Sequence, residues 1–324
     1  MADPSRNPRT LRLGTRGSQL AHWQAEWVAG ELRRHGHAVE LIEIATRGDI
    51  DQARPVEEIG TRGVFTKAIQ QALVAGNVDL AVHSLKDLPT EPVEGLVLAA
   101  VPERESAADV LVLRGERSEE RGASGETGRL GALPDGARVG TGSLRRQAQL
   151  RHLRPDLRVA DVRGNVDTRL RKLDEGQFEA IVLAEAGLRR LGLAGRVSQV
   201  LSLDDMLPAV GQGALGIECR ANDDTTLAAV ASLTHAVTFA AVTAERALLA
   251  HLRGGCMAPV GALGRVESDR LQLQAVVLSA DGSRRLVASE TARVGDASAL
   301  GVRVAEMLVS QGAAELIAGS RLGG

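Results

Sequence analysis

The first two-thirds of the chain alternates short apolar runs with amphipathic stretches of helical period, the arrangement that builds α/β folds. Residues 11–13 form the first predicted strand, and Ser18 stands where a helix N-cap is expected, opening a helix through Arg33. On it Leu20, Trp23, Trp27 and Leu32 recur near helical spacing, which predicts that both tryptophans face the core. The same rhythm predicts strands at 39–44, 78–82, 157–162 and 180–183, and another ending at Gly140. Helices are predicted at 65–74, 143–153 and 166–173. Residues 114–132, rich in Gly, Arg, Glu and Ser, predict a solvent-exposed insertion. From about residue 235 the pattern becomes a smaller α+β unit: a helix at 241–252, strands at 260–263, 271–278 and 285–288, and a last helix at 297–310. No internal repeat is visible.

At 324 residues the chain exceeds the ~250–300 residues at which single cores stop growing, so two or three domains are expected. A net charge of −2 provides no global attraction to nucleic acid or anionic membrane, so any anion site must be a local patch. No stretch approaches the ~18 apolar residues of a membrane helix, and residues 1–10 lack the apolar core of a signal peptide. Cys219 and Cys256 are too few for a disulfide framework, so a reducing compartment, the cytoplasm, is the expected location. The seven histidines are scattered without ligand spacing, so no metal is expected. Only five aromatic residues exist to stack bases, which argues against a nucleic-acid partner.

Four segments carry candidate chemistry. His83-Ser84-Leu85-Lys86-Asp87-Leu88-Pro89 follows an apolar strand, and in open α/β sheets ligands bind beyond the carboxyl ends of strands. There Asp87 beside Lys86 reads as a carboxylate held ionised by a neighbouring cation; a plain surface turn closed by Pro89 is the alternative. Residues 138–172 hold ten basic residues against three acids, and Gly140-Thr141-Gly142-Ser143 leads into the helix bearing Arg145 and Arg146. Helix-start N–H groups with guanidinium groups beside them suit carboxylate or phosphate. Of the 39 basic residues only Lys67, Lys86 and Lys172 are lysine, so a solvated arginine-rich face is the competing reading. Gly211-Gln212-Gly213-Ala214-Leu215-Gly216 matches G-x-G-x-x-G but runs on as an alternating apolar stretch with no acid at 225–244, so the dinucleotide reading is rejected. Finally, glycines precede Cys256 in Arg253-Gly254-Gly255-Cys256; whether this cysteine is reactive or an inert small hydrophobe is open from the residues alone.

Together and in this order, these segments, with Thr15-Arg16-Gly17-Ser18, Thr46-Arg47-Gly48-Asp49 and Arg163-Gly164-Asn165-Val166, resemble the motifs of the hydroxymethylbilane synthase (porphobilinogen deaminase) family over roughly residues 11–264. The resemblance implies a transferase of heme biosynthesis that joins four porphobilinogen units head to tail with release of ammonia. It implies a dipyrromethane cofactor held by a thioether to Cys256, with Asp87 as catalytic carboxylate. Lys86, Ser143, Arg145, Arg146 and Asp87 match the cofactor contacts, and Arg16, Ser18, Thr141, Arg163, Arg169 and Arg190 the substrate contacts; Phe65 is a candidate cover for the pyrroles. The acetate and propionate groups of successive pyrroles would call for clustered arginines, as the 138–172 stretch supplies.

The family fold is two periplasmic-binding-protein-like α/β domains with a cleft between them, plus a smaller C-terminal α+β domain. Its expected division here is 1–108 with 205–228, then 109–204, then 229–324, in a monomer. Departures from the family pattern are Gln19, Arg62, Arg253 and Met257-Ala258. A two-domain small-anion-binding protein without catalysis is the alternative, and in it Cys256 has no role.

Overall fold

A computed structural model of the chain describes residues 9–45, 66–115, 128–255 and 258–322. By internal contacts it divides into two compact units, Met1–Glu103 with Leu215–Phe239, and Arg104–Ala214 with Ala240–Gly324.

The first unit contains β1 (Leu11–Thr15), α1 (Gln19–Arg34), β2 (Val39–Glu43), α2 (Lys67–Val74), β3 (Leu80–Ser84) and β4 (Leu96–Ala100). The returning chain adds β10 (Leu215–Arg220) and α7 (Asp224–Ala231). The sheet order is β2-β1-β3-β10-β4, with β1 parallel to β2 and β3 and β10 antiparallel to its neighbours. Leu11, Leu13, Leu80, Val82 and Ile217 pack against Ala25, Val28, Ala29 and Leu32 of α1. That i, i+3, i+4, i+7 set is the buried stripe, and it corrects the reading of the tryptophans. Trp23 lies off the stripe and is 38% exposed, while Trp27 packs at the core's margin. Small residues at 25 and 29 let α1 lie close to the sheet, which two indoles would prevent.

The second unit contains β5 (Asp109–Leu113), α3 (Gly128–Gly131), β6 (Arg138–Gly140), α4 (Leu144–Leu153), β7 (Arg158–Ala160), α5 (Val166–Asp174), β8 (Ala180–Ala184), α6 (Glu185–Arg190) and β9 (Gln199–Val200). Its order β7-β6-β8-β5-β9, with β6 parallel to β7 and β8 and β5 antiparallel to its neighbours, repeats the first unit's topology. A repeat is therefore present in the fold though not evident in the sequence. After α8 (Ala236–His251), the strands β11 (Val260–Glu267), β12 (Arg270–Leu278) and β13 (Arg285–Arg293) form an antiparallel sheet. Leu271, Leu273, Ala275 and Val277 pack against Leu300, Val304 and Leu308 of α9 (Ala297–Ser310).

Of the predicted exposed insertion, Arg114, Gly115, Gly131 and Ala132 are exposed, and its end is tied down where the Leu130 N–H donates to Gln199 Oε1 at 2.7 Å. Residues 116–127 of that insertion lie outside the described residues. A further helix, α10 (Ala313–Leu322), follows α9 after Gly312, whose φ of 98° ends the first helix sharply.

Candidate functional site

Both five-stranded sheets place a short turn beyond the carboxyl end of their first parallel strand, built from nearly the same residues. In the first unit Gly14-Thr15-Arg16-Gly17-Ser18 leaves β1, and Ser18 Oγ accepts the Ala21 N–H at 3.3 Å to cap α1. In the second, Gly140-Thr141-Gly142-Ser143 leaves β6, and Ser143 Oγ accepts the Arg146 N–H at 3.5 Å to cap α4. Thr15 and Thr141 are buried. A Cβ on Gly17 would lie 2.8 Å from Glu43 Oε1, and one on Gly142 would lie 3.0 Å from Asp161 Oδ1 and 3.1 Å from the Val162 carbonyl oxygen. The two turns, Gly-Thr-Arg-Gly-Ser and the one-residue-shorter Gly-Thr-Gly-Ser, stand at equivalent places in the two sheets.

Beyond β3 the chain makes a single 3-10 turn, Leu85–Asp87, closed by the Leu88 N–H on the Leu85 carbonyl at 3.2 Å. Leu85 and Leu88 are pinned inside, which turns Lys86 partly outward and leaves Asp87 exposed. Pro89 follows and cannot continue the turn. Three contacts hold the base of the turn. Gln24 Nε2 donates to Ser84 Oγ at 2.8 Å, tying α1 to it. Gly216 pairs with His83 across β10, and a Cβ there would lie 2.8 Å from Leu85 Cδ1. His83 Nε2 lies 3.1 Å from Glu218 Oε2, and both oxygens of that buried carboxylate accept from Gln70 Nε2, at 3.0 and 3.2 Å.

The second unit holds its arginines differently from expectation. Arg145 and Arg146 are 3% and 5% exposed and both face inward onto Asp109, the first residue of β5. Arg145 Nη1 lies 2.8 Å from Asp109 Oδ2, and Arg146 Nε and Nη2 lie 2.9 and 2.8 Å from Oδ1. Further acceptors are the Leu207 carbonyl for Arg145 and the Val182 carbonyl and Gln212 Oε1 for Arg146. Burial pushes the Asp109 carboxyl upward, but the two arginines outweigh it and hold it well below the usual carboxylate range. Burial lowers Arg145, opposed by Asp109. Two cations against one anion leave a single buried positive charge, and Arg145 Nε has no hydrogen-bond partner among the described residues. The one sign of Asp109 in the sequence is an acid opening the apolar run 109–113.

Arg163 pairs with Asp161, and Arg169 Nε donates to the Gly164 carbonyl at 2.8 Å, so both attach to the turn that starts α5. Arg190 Nη2 donates to the Gly213 carbonyl at 2.7 Å, and burial pushes this guanidinium down to about 10. Phe65 and Cys256 lie outside the described residues. The approach to Cys256 is described: α8 stops at His251, the Gly254 N–H bonds the Leu249 carbonyl, and Arg253 and Gly255 have φ of 50° and 61°. The chain thus reaches Cys256 through a tight left-handed turn.

The rejected glycine motif has a structural use. Gly211 and Gly213 have φ of 71° and 86°, and the chain runs on into β10 rather than a helix. A Cβ on Gly213 would lie 2.3 Å from the Glu105 carbonyl oxygen. Gly213→Ala is therefore expected to cost about 1–3 kcal/mol from the strained φ alone, and more from the collision. A thermal melt within error of the unaltered protein would contradict this.

The family model described as "Porphobilinogen deaminase, dipyromethane cofactor binding domain" matches residues 11–228, and "Porphobilinogen deaminase, C-terminal domain" matches 239–310. Porphobilinogen deaminase of Desulforudis audaxviator is 51% identical over 318 residues, covering 97% of this chain and 99% of that protein. The Geobacter metallireducens protein of the same name is 46% identical over 313 residues, covering 96% and 95%. Among solved structures, the periplasmic VFT2 domain of Bordetella pertussis BvgS is 16% identical with a TM-score of 0.39, covering 69% of this chain and 86% of that one.

Proposed function

The chain belongs to the porphobilinogen deaminase family, a family of dipyrromethane-primed transferases of tetrapyrrole biosynthesis, and from that premise we propose how its own residues divide the work of joining four porphobilinogen units. The observation that carries the reading is Asp87, turned out by buried Leu85 and Leu88 at the end of β3, next to the strand that delivers Arg16 and Ser18. Loss of ammonia from porphobilinogen leaves a cation, and carbon–carbon bond formation leaves another before a proton departs. A carboxylate beside the pyrrole N–H stabilises both and assists the proton transfers, and Asp87 takes that role. Lys86, Arg16, Arg163, Arg169 and Arg190, with the hydroxyls of Ser18 and Thr141, bind the acetate and propionate groups of the units. Phe65 covers the pyrrole faces.

The residues present suit the primer. The Asp109 triad keeps one net positive charge in the first turn of α4, whose start favours primer carboxylates. When bound, the primer supplies the pyrrole carbon onto which units are added. Cys256 holds it by a thioether that withstands repeated turnover. The three-domain division 1–108 with 205–228, 109–204 and 229–324 is part of the same proposal. Among the described residues no single helix is long and apolar enough to cross a membrane; we place the protein in the cytoplasm as a monomer.

Intact-protein mass tests the reading. The full chain is expected to carry an excess equal to two linked pyrroles, and Cys256→Ala to lack it and to be inactive. A bare polypeptide mass for the unaltered protein, or an adduct that survives Cys256→Ala, would overturn it.

A further inference from the structure

We infer that the hairpin tip joining β12 to β13, residues 279–284, is a positioning element for α4, the helix whose first turn carries Ser143, Arg145 and Arg146. The inference rests on the reading that this turn serves the primer.

The tip is a preformed body. Ser279 N–H bonds the Arg284 carbonyl, Gly282 N–H bonds the Ser279 carbonyl, and the Asp281 carboxylate accepts from Ser279 Oγ and from the backbone and hydroxyl of Ser283. It meets α4 backbone to backbone. A Cβ on Gly282, whose φ is 77°, would lie 2.7 Å from the His152 nitrogen, 2.8 Å from the Ala148 carbonyl oxygen and 2.9 Å from the Arg151 carbonyl carbon. Two side chains of the last turn reach back: Arg151 Nη1 donates to the Ala280 carbonyl at 2.6 Å, and His152 Nδ1 lies 2.9 Å from the Gly282 carbonyl. Below them Ala148 packs with Leu263, Val276 and Leu278 of the same sheet.

Such a contact tolerates no added atom, and a helix moves as a rod, so a shift imposed at residues 148–152 displaces the first turn as well. The sheet that grips α4 is also the one that begins with β11, four residues after Cys256. Gly282 is the position at which this sheet sets the placement of α4.

Gly282→Ala tests this in the full chain. The fraction of isolated protein bearing the two-pyrrole adduct is expected to fall, read by intact mass well below the melting temperature. In the chains that remain loaded, kcat/KM is expected to drop on the order of ten-fold, mainly through KM. Should Gly282→Ala fail to fold, Arg151→Leu removes one link only and should move both readouts the same way, with Arg151→Lys restoring them. Full loading and unchanged KM in a Gly282→Ala protein with merely a lower Tm would overturn the inference. So would unchanged loading and KM in Arg151→Leu where that variant is used. Absence of the adduct from the unaltered protein would instead overturn the reading on which it rests.

Discussion

Asp87→Asn is expected to lower kcat about a hundred- to a thousand-fold while leaving the fold and the primer in place. The size follows from the work assigned to the carboxylate. It opposes positive charge that exists on the pyrrole only after ammonia has left and again after bond formation, so its loss falls on the transition states rather than on substrate binding. Asparagine keeps the shape but offers no negative charge and accepts no proton. Because Asp87 is exposed and the turn is held by Leu85 and Leu88, the substitution is expected to change stability by no more than about 0.5 kcal/mol. Asp87→Glu should recover part of the rate, since the charge returns at a longer reach. Steady-state turnover with intact mass on the same sample decides the matter: near-normal turnover in a fully loaded Asp87→Asn protein contradicts the role.

Asp109→Asn carries the largest expected effect on stability. The carboxylate is fully buried between two guanidinium groups that are themselves buried, so removing its charge strands two cations in the interior. Breaking a buried ion pair from one side costs about 3–5 kcal/mol, a large share of the ~5–15 kcal/mol that holds a domain together. A fall in Tm of roughly 10 °C is expected for a unit of this size. The pH dependence has a definite sign. Asp109 is held below its unfolded value of about 3.9, so its contribution is complete above that pH and is lost as pH falls toward the folded value. The stability gap between the two proteins should be constant from neutrality to about pH 5 and shrink below about pH 4. Denaturant titrations across that range check it; a gap that widens in acid would contradict the assignment.

Much of the local structure was legible in the chain. The cap at Ser18, the strands predicted at 11–13 and 180–183 and the helix predicted at 143–153 follow from local rules: a hydroxyl before a helix, an apolar run, a helical period. The family motifs, read in order, named Asp87 and Cys256. The errors have a common cause. Trp23 was assigned to the core because periodicity reports which residues share a helix face, while only the partner sheet decides which face is covered. The repeated topology went unseen because two sheets of the same order need only the same apolar rhythm, not the same residues.

The division is clearest at the arginines. Composition and spacing established that 138–172 is dense in positive charge, and that Arg145 and Arg146 open a helix. Their orientation depended on Asp109, distant in sequence and placed beneath them only when β5 enters the sheet beside β8. Likewise Gly282 is an ordinary turn glycine until the hairpin is laid against α4, where the space for a side chain vanishes. Residue chemistry and short-range backbone preference act over a few positions and are written in order along the chain. Burial, charge compensation and exclusion of atoms are properties of neighbours in space, and for this protein they were decided by the packing of strands and helices far apart in sequence.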